Sequence, residues 1–499
     1  MKVVLAGYNV DTRTLKRAEE LGIPKDHLTP EVISAAYARI SRDPRPVGEL
    51  RLIALEEVEK ARASNRAIVF EMGHHSIAEH AVFNFDIVGV SRLAIEYLER
   101  FRLCSYTEKS QRYITLDHDF VIPNEFKDTP FESELLSLIA HQSTCYEKFN
   151  TALRARLLEK YPDWEKKKSK RTILDGWSKE DARYVTLLAT TGQLGLTANA
   201  RNLELMIRRF AGSKLEELRN LGKLLHEAGS AIAPSLLLFT ETSSYDTSTR
   251  AEIRDFLKAC APTWTPKRPI SEDGDTAVQL VDYTPSADKL VAASLLHLIT
   301  GESFEKCRSQ VSAMWDKHLS QILSLTLKHM QFYDTAPREF EHAHLTFEIV
   351  LSGAAYAQLK RHRMTTQSIQ KYDPSLGYTV PPAITEVGLE EDFRRHMEKT
   401  EILYDKIAKT MPDAAPYVLT NAHRRRVLMT INLRELYHFV RLRDDAHAQW
   451  DIRNIAKQMK DLAKEVMPVS SFLLSGKDSF ASVYERAYGE PPQKTVPRN

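Results

Sequence analysis

The 499-residue sequence predicts an α+β protein built from two related copies, each mainly helical around a small antiparallel or mixed sheet. Three observations predict it. First, residues 73–113 and 339–372 share anchors in the same order: Glu79-His80 with Glu341-His342, Phe85 with Phe347, and Arg100-x-Arg102 with Arg361-His362-Arg363. The separation between partners changes by no more than one residue, which points to duplication. Second, apolar residues alternate after each Glu-His pair, as Phe83, Phe85 and Ile87 and as Leu345, Phe347 and Ile349, the pattern of half-buried strands. Third, a second related pair, residues 197–210 and 430–450, carries helical spacing downstream of each strand.

In chain order, each copy predicts a strand, a turn at Gly89 or Gly353, and a helix that ends in the Arg pair. In the helix after Asn432, that residue is expected to cap the first turn while Glu435 reaches back, and Arg434, His438 and Arg441 share one face. Residues 130–160, 292–330 and 390–410 also read as helices. Residues 241–285, rich in Pro, Ser, Thr and Asp, sustain neither periodicity and suggest a linker. The expected division is a first domain over 1–240, a linker over 241–290 and a second domain over 291–499.

Composition narrows the function classes. Hydrophobic residues at 43% and charged residues at 27% are ordinary globular usage, and a net charge of +2 provides no bulk field for a nucleic-acid backbone. Cys104, Cys145, Cys260 and Cys307 form no C-x-x-C pair, which fits a reduced, cytoplasmic protein. The opening MKVVLAGYNVDTR has too short an apolar run for a signal-peptide core or membrane span. The basic stretch 166–171 reads as a solvated surface segment, and His423 to Arg426 as a solvated face or a ligand-phosphate contact.

Local chemistry points to an anion. Arg100 and Arg102 end a helix and are followed by Glu108, Ser110 and Arg112, a set of planar donors and a hydroxyl suited to phosphate. The alternative, favoured where one copy is read without the other, is that basic residues there only complement the helix dipole. His74, His75, Glu79 and His80, like Glu341, His342 and His344, lack the H-E-x-x-H order, so turn hydrogen bonds are expected there and no metal. Cys104 has no base at readable spacing, and no G-x-G-x-x-G opens a helix.

These motifs resemble those of the flavin-dependent thymidylate synthases (ThyX). RFRLCSYTEKSQRY is similar to that family's Arg-His-Arg, seven residues, Ser signature, flanked in order by GHHSIAEH and TANARNLELMIRRF. FEHAHLTFEI, QLKRHRM and NLRELYHFVRLRDDAHAQWDI match again in the second half. The resemblance implies FAD as cofactor, NADPH and methylenetetrahydrofolate as co-substrates, and reductive methylation of dUMP to dTMP without an enzyme nucleophile on the base. It also implies a homotetramer of single copies, hence a homodimer of these fused chains, with small-molecule partners and no membrane.

Carried over by position, the first copy keeps His74, Arg100 and Arg102 toward the flavin. Toward dUMP it keeps Glu108, Ser110, Gln111, Arg112 and Arg183. Asn199 and Arg201 also match, but the copy departs at Tyr97, Phe101 and near Lys214. The second copy keeps Gln358 and Arg443 toward uracil, and Arg361, His362, Arg363, Asn432, Arg434, His438 and His447 toward the flavin. There the substrate loop reads as two residues shorter, with Ile369 in the place of Ser, Lys371 in the place of Arg, and Pro416 where a phosphate Arg belongs. The losses are complementary, so one composite site is expected, with Arg443, Ser110 and Gln358 in the catalytic roles. The alternatives are a divergent flavoenzyme acting on another pyrimidine nucleotide or one-carbon donor, and a non-catalytic flavin- or nucleotide-binding protein.

Overall fold

A computed structural model describes residues 1–22, 28–111, 119–260 and 278–492. Among the described residues the chain is mostly helical, with two four-stranded sheets whose strand pairs are all antiparallel. The first holds β1 (Lys2–Tyr8), β2 (Val82–Ser91), β3 (Ser105–Glu108) and β4 (Thr191–Asn199) in the order β1-β2-β4-β3. The second holds β5 (Val278–Tyr283), β6 (His344–Ser352), β7 (Thr366–Ile369) and β8 (Arg424–Asn432) in the order β5-β6-β8-β7. The same order twice, at matching places along the chain, is the duplication expressed as topology.

The alternation is realised. Phe83, Phe85 and Ile87 of β2, and Leu345, Phe347 and Ile349 of β6, all point into cores with almost no exposure. Each central strand ends in a serine that caps the next helix. Ser91 Oγ accepts from Ala94 N at 2.9 Å, and Ser352 Oγ accepts from Ala355 N at 3.0 Å. Each serine hydroxyl in turn donates to a buried carboxylate, Glu217 at 2.6 Å and Asp451 at 2.6 Å. A cap is worth about 1 kcal/mol, and leaving a buried carboxylate without its donors costs more.

The two turn glycines are not equivalent. Gly89 lies inside β2 at φ 74, where the register shifts between Val88 and Val90, a bulge that needs positive φ. Gly353 starts its helix, and a Cβ there would stand 2.7 Å from the Tyr372 hydroxyl, so glycine is needed for close approach.

By packing, the chain forms two compact units, Met1–Lys267 with Ala383–Thr420 and Arg268–Pro382 with Asn421–Asn499. The second copy thus lends helix Glu390–Ala408 to unit 1, where it packs along helix Pro130–Lys160 through stacked Phe149 and Phe393 rings 6.0 Å apart and a Lys406–Glu134 ion pair of 2.7 Å. The stretch expected to be a linker contains helix Thr249–Cys260, none of whose residues is buried, and all of β5. That helix forms without a core to bury, from the helix formers Arg, Ala, Glu, Leu and Lys within it; β5 is held by pairing with β6. Residues 166–171 lead into helix Lys168–Ala182 and are largely exposed, with the Lys170 ammonium 4.8 Å from the Trp164 ring. Among the described residues no helix is long and apolar enough to cross a membrane.

Candidate active site

In unit 2, helix Gly353–Leu359 carries Gln358 and leads into Arg361, His362 and Arg363, while helix Leu433–Arg443 runs alongside. Asn432 caps that second helix through Oδ1 to Glu435 N at 2.8 Å, as expected. The Glu435 carboxylate does not close a capping box. It lies 3.4 Å from His362 Nδ1 instead, without forming a hydrogen bond to it.

Arg443 organises the group. Its Nε donates to His362 Nε2 at 2.9 Å and its Nη1 donates to Gln358 Oε1 at 3.0 Å. Since a guanidinium only donates, His362 accepts on Nε2 and carries its proton on Nδ1, toward Glu435. Burial, then Arg443 and His438, hold the imidazole well below its ordinary pKa, so it is neutral. Burial raises the Glu435 carboxyl against the pull of His438 and Arg434. The result is a planar cation clamped by two neutral acceptors.

The other residues expected on the flavin side lie around this group. Arg361 and Arg363 are exposed, as is His438, whose ring centroid is 5.9 Å from that of His362. His447 is exposed, with Nδ1 2.9 Å from Asp445 Oδ1. Arg434, His438 and Arg441 share one face, along a cavity of about 240 Å³ that also includes Tyr333 and Lys477. Arg434 is tied to the Ala336 carbonyl at 2.7 Å and to Glu341 at 3.0 Å. In unit 1, Arg201 reaches Glu79 at 2.6 Å in the same way, and Asn199 caps its helix as Asn432 does. These pairings are scaffold contacts common to both copies.

Unit 1 offers a different feature, a cavity of about 310 Å³ whose wall includes Arg92, Glu108, Ser110, Gln111, Tyr146 and Thr190. Three of the five residues of the first copy assigned to dUMP meet there. Arg183 lies outside the wall, buried in the turn Arg183–Val185 with Nε donating to the Glu180 carbonyl at 3.3 Å; Arg112 lies outside the described residues. His74 is exposed at the start of the turn His75–His80, Arg102 is exposed, and Arg100 stacks on the Tyr97 ring at 4.1 Å. Lys214 pairs with Asp413 at 3.5 Å.

Sequence reasoning missed Arg92 and Glu96. Arg92 Nη1 donates to Glu108 at 2.9 Å and its Nη2 is 3.7 Å from Glu96, all three being nearly inaccessible to solvent. Their four-residue spacing on one helix was the available signal.

Strand register corrects the reading of the second loop. Glu108 faces Leu194 and Ile369 faces Val427, while Lys109 N bonds the Gln193 carbonyl as Gln370 N bonds that of Arg426. Ile369 therefore stands in the place of Glu108, not of Ser110; Lys371 takes the place of Ser110, and Tyr372 that of Gln111. No residue is missing over this stretch, because the strand pairing fixes the count.

The run His423 to Arg426 is not a solvated face either. His423, just before β8, and Arg424 and Arg425 within it are buried. Arg425 stacks on Tyr372 at 4.1 Å and on Tyr356 at 4.8 Å and donates to the Gln370 carbonyl at 2.9 Å. By register, Arg425 opposite Leu351 corresponds to Gly192 opposite Val90. Where unit 1 has a cavity, unit 2 has packed side chains. Conversely, Gln358, His362 and Arg443 correspond to Tyr97, Phe101 and Phe210, and the last two make an edge contact with centroids 5.8 Å apart.

Two copies of one strand-cap-helix scaffold, each with an Arg-x-Arg terminus, define a tandem protein. The family model described as thymidylate synthase complementing protein matches residues 25–235 and again 279–469, and the chain belongs to that family, carrying it twice. It is 28% identical over 82% of its length to a UPF0159 protein of Chlamydia muridarum, covering 79% of that protein. It is 29% identical over 43% of its length to a flavin-dependent thymidylate synthase of Clostridium tetani, covering 83% of that chain. A UMP/dUMP methylase from Streptomyces cacaoi is similar over 40% of this chain and 94% of its own, at 21% identity and a TM-score of 0.34. Family membership supports a thymidylate-synthase-like function.

Proposed function

We propose that this protein is an FAD-dependent thymidylate synthase in which the two copies divide one reaction, the reductive methylation of dUMP to dTMP with methylenetetrahydrofolate and NADPH. Unit 1 supplies the nucleotide-phosphate side through Glu108, Ser110 and Gln111 of the cavity wall together with Arg112; Arg183, buried outside that wall, is left to the scaffold. Unit 2 supplies the uracil side through Gln358 and Arg443 and the flavin side through the residues around them. The observation that carries this reading is the Arg443 guanidinium, fixed by both Gln358 and His362 on a chain of this family.

The donors of unit 2 fit a flavin nucleotide. Arg361, Arg363 and His438 present cationic or ring donors at the surface, beside a cavity lined by Tyr333, Arg434 and Lys477. Those residues would hold it, with His447, and FAD so bound supplies the reducing equivalents that convert the transferred methylene to methyl. Arg443 lies against the uracil ring and stabilises the negative charge that develops as C5 becomes nucleophilic. Gln358 orients Arg443, and neutral His362 keeps a second positive charge out of the group. Ser110 donates to the nucleotide, with Arg112 as the paired phosphate donor. A homodimer of fused chains is the assembly that corresponds to the family's tetramer.

The test is direct. Purified protein is expected to show a flavin absorption band and to form dTMP from dUMP, methylenetetrahydrofolate and NADPH. Arg112→Ala weakens dUMP binding while the flavin stays bound; joint loss of both contradicts the division of labour. One observation favours a second reading, action on a different pyrimidine nucleotide. Glu108, assigned to substrate, is already engaged by Arg92 at 2.9 Å. A flavin bleached by NADPH without dTMP formation selects that reading.

A further inference from the structure

One cluster of ligating side chains in unit 1 is used by none of this chemistry. On helix Pro130–Lys160, His141 and Cys145 are four residues apart and so share a face, one that does not wall the cavity. Helix Glu390–Ala408 brings His396 against them. His141 Nδ1 is 3.1 Å from His396 Nδ1, Cys145 Sγ is 3.5 Å from His141 Nδ1, and the three donor atoms all lie within 4.8 Å of one another. His396 and Cys145 are buried, and His141 is half-buried.

The outer contact fixes the tautomer. His396 Nε2 is 2.9 Å from the Val185 carbonyl, which only accepts, so Nε2 holds the proton and Nδ1 turns its lone pair into the cluster. A backbone carbonyl behind a histidine is the usual orienting partner of a metal-bound imidazole. Zinc bonds of about 2.0–2.1 Å to nitrogen and about 2.3 Å to sulfur set ligand–ligand edges of roughly 3.3–3.6 Å in a tetrahedron; the Cys145–His141 separation of 3.5 Å lies in that range, and the two imidazole nitrogens, 3.1 Å apart, part slightly to admit the ion.

We infer that His141, Cys145 and His396 form a binding site for one borderline-soft divalent cation of the zinc class, with a fourth position for water. Imidazole and thiolate together suit such a cation rather than magnesium or calcium. Lys399 near His141 opposes it, and burial pushes the Cys145 thiol up to about 11, so the ion displaces that proton and the thiolate then formed offsets the lysine; Lys148 alongside is paired with Asp392 at 2.6 Å. The site joins a helix of each copy inside unit 1. The stacked phenylalanines and the Lys406–Glu134 pair join the same two helices independently of the ion. Sequence spacing conceals the site because His141 and His396 are 255 residues apart.

The test uses the full chain, stripped by chelator under a thiol reductant and titrated with Co²⁺. One equivalent is expected to bind with thiolate-to-cobalt charge-transfer and tetrahedral visible bands, both removed by excess Zn²⁺. The charge-transfer band disappears in C145S and persists in C260S, which removes the one exposed thiol among the four cysteines. H396Q weakens Co²⁺ binding by about tenfold or more, and Zn²⁺ at a hundredfold excess over its Kd raises the unfolding midpoint of wild type by about 5 °C. Should H396Q fail to fold, the near-isosteric C145S carries the result. Absence of stoichiometric Co²⁺ bands, or their survival in C145S, overturns the proposal. The outcome does not depend on dTMP formation.

Discussion

The two copies keep the same skeleton and exchange their chemistry. Ser91 with Glu217 repeats as Ser352 with Asp451, and Arg201 with Glu79 repeats as Arg434 with Glu341. Even the brace from the short strand is retained: the Tyr106 hydroxyl donates to the Leu98 carbonyl, and Gln367 Nε2 to that of Leu359. By contrast, the Gln358, His362 and Arg443 group of unit 2 is aromatic in unit 1, and the cavity of unit 1 is filled by Tyr356, Tyr372 and Arg425 in unit 2. The difference has a physical logic. Caps and buried carboxylates hold the fold wherever they occur, whereas a buried cation stabilises only where acceptors or rings are built around it, as around Arg425, and otherwise costs desolvation. Once one copy carries a function, the other gains by packing: the Phe101–Phe210 pair adds about 0.5–1.5 kcal/mol beyond its burial.

The sharpest way to break this comparison is at its polar centre. Arg443→Ala is expected to raise the barrier to single-turnover dTMP formation by about 3 kcal/mol or more, a loss of at least about a hundredfold, with flavin still bound. Unchanged turnover would remove Arg443 from the reaction. Next in size is Arg425→Ala, which deletes a buried guanidinium that stacks on two tyrosines and bonds a carbonyl. It is expected to destabilise unit 2 by about 2–3 kcal/mol in urea unfolding, since bonds from a charged group are worth about 1.5–3 kcal/mol. If instead it binds dUMP more tightly at no cost in stability, the filled cavity is a latent second site.

Much of this was legible in the sequence, for reasons that particular residues make plain. Period-two alternation exposes Phe83, Phe85, Ile87 and their counterparts because one face of each strand is buried. Gln358, His362 and Arg443 were legible as chemistry only through the family motif, since nothing local says that residues separated by a whole strand will share a guanidinium. The register of β7 was hidden because matching the downstream tyrosines makes the second loop look short, while pairing with β8 counts residues from the other side. The charge of Arg424 and Arg425 suggests solvent, and only the sheet shows both buried, Arg424 bonded to the Thr379 hydroxyl and Arg425 stacked on two tyrosines. The lending of helix Glu390–Ala408 to unit 1 leaves no local signature, because amphipathic spacing does not name the partner.

Acidity tests the polar centre by a smaller amount. His362 in the fold has a pKa well below the ordinary value of about 6.5 that it regains on unfolding, with burial the main cause and Arg443 next. The unfolded chain therefore binds the extra proton first. Stability from this group is full above about pH 6.5 and is lost progressively as pH falls toward the folded value, so wild type is expected to lose stability between about pH 7.5 and about pH 5.5. His362→Phe, which installs the residue that unit 1 already has, is expected to remove that component. Urea midpoints of wild type and variant at both pH values check it, and equal losses on acidification would show that another group is responsible.

The smallest effect tests the cavity itself. A Cβ at Gly192 would stand 2.4 Å from Ile95 Cδ1, and both residues line the cavity of unit 1. Because the clash falls on the end of a side chain, Gly192→Ala is expected to cost only about 1 kcal/mol of stability. Ile95 must then turn, and the available direction is into the open volume, the first step toward the filled state that Arg425 and Tyr356 reach in unit 2. Binding of dUMP, measured by calorimetry, is expected to weaken several-fold while the flavin spectrum stays unchanged. If dUMP affinity is untouched, the cavity of unit 1 is not where the nucleotide sits, and the division between the copies must be drawn elsewhere.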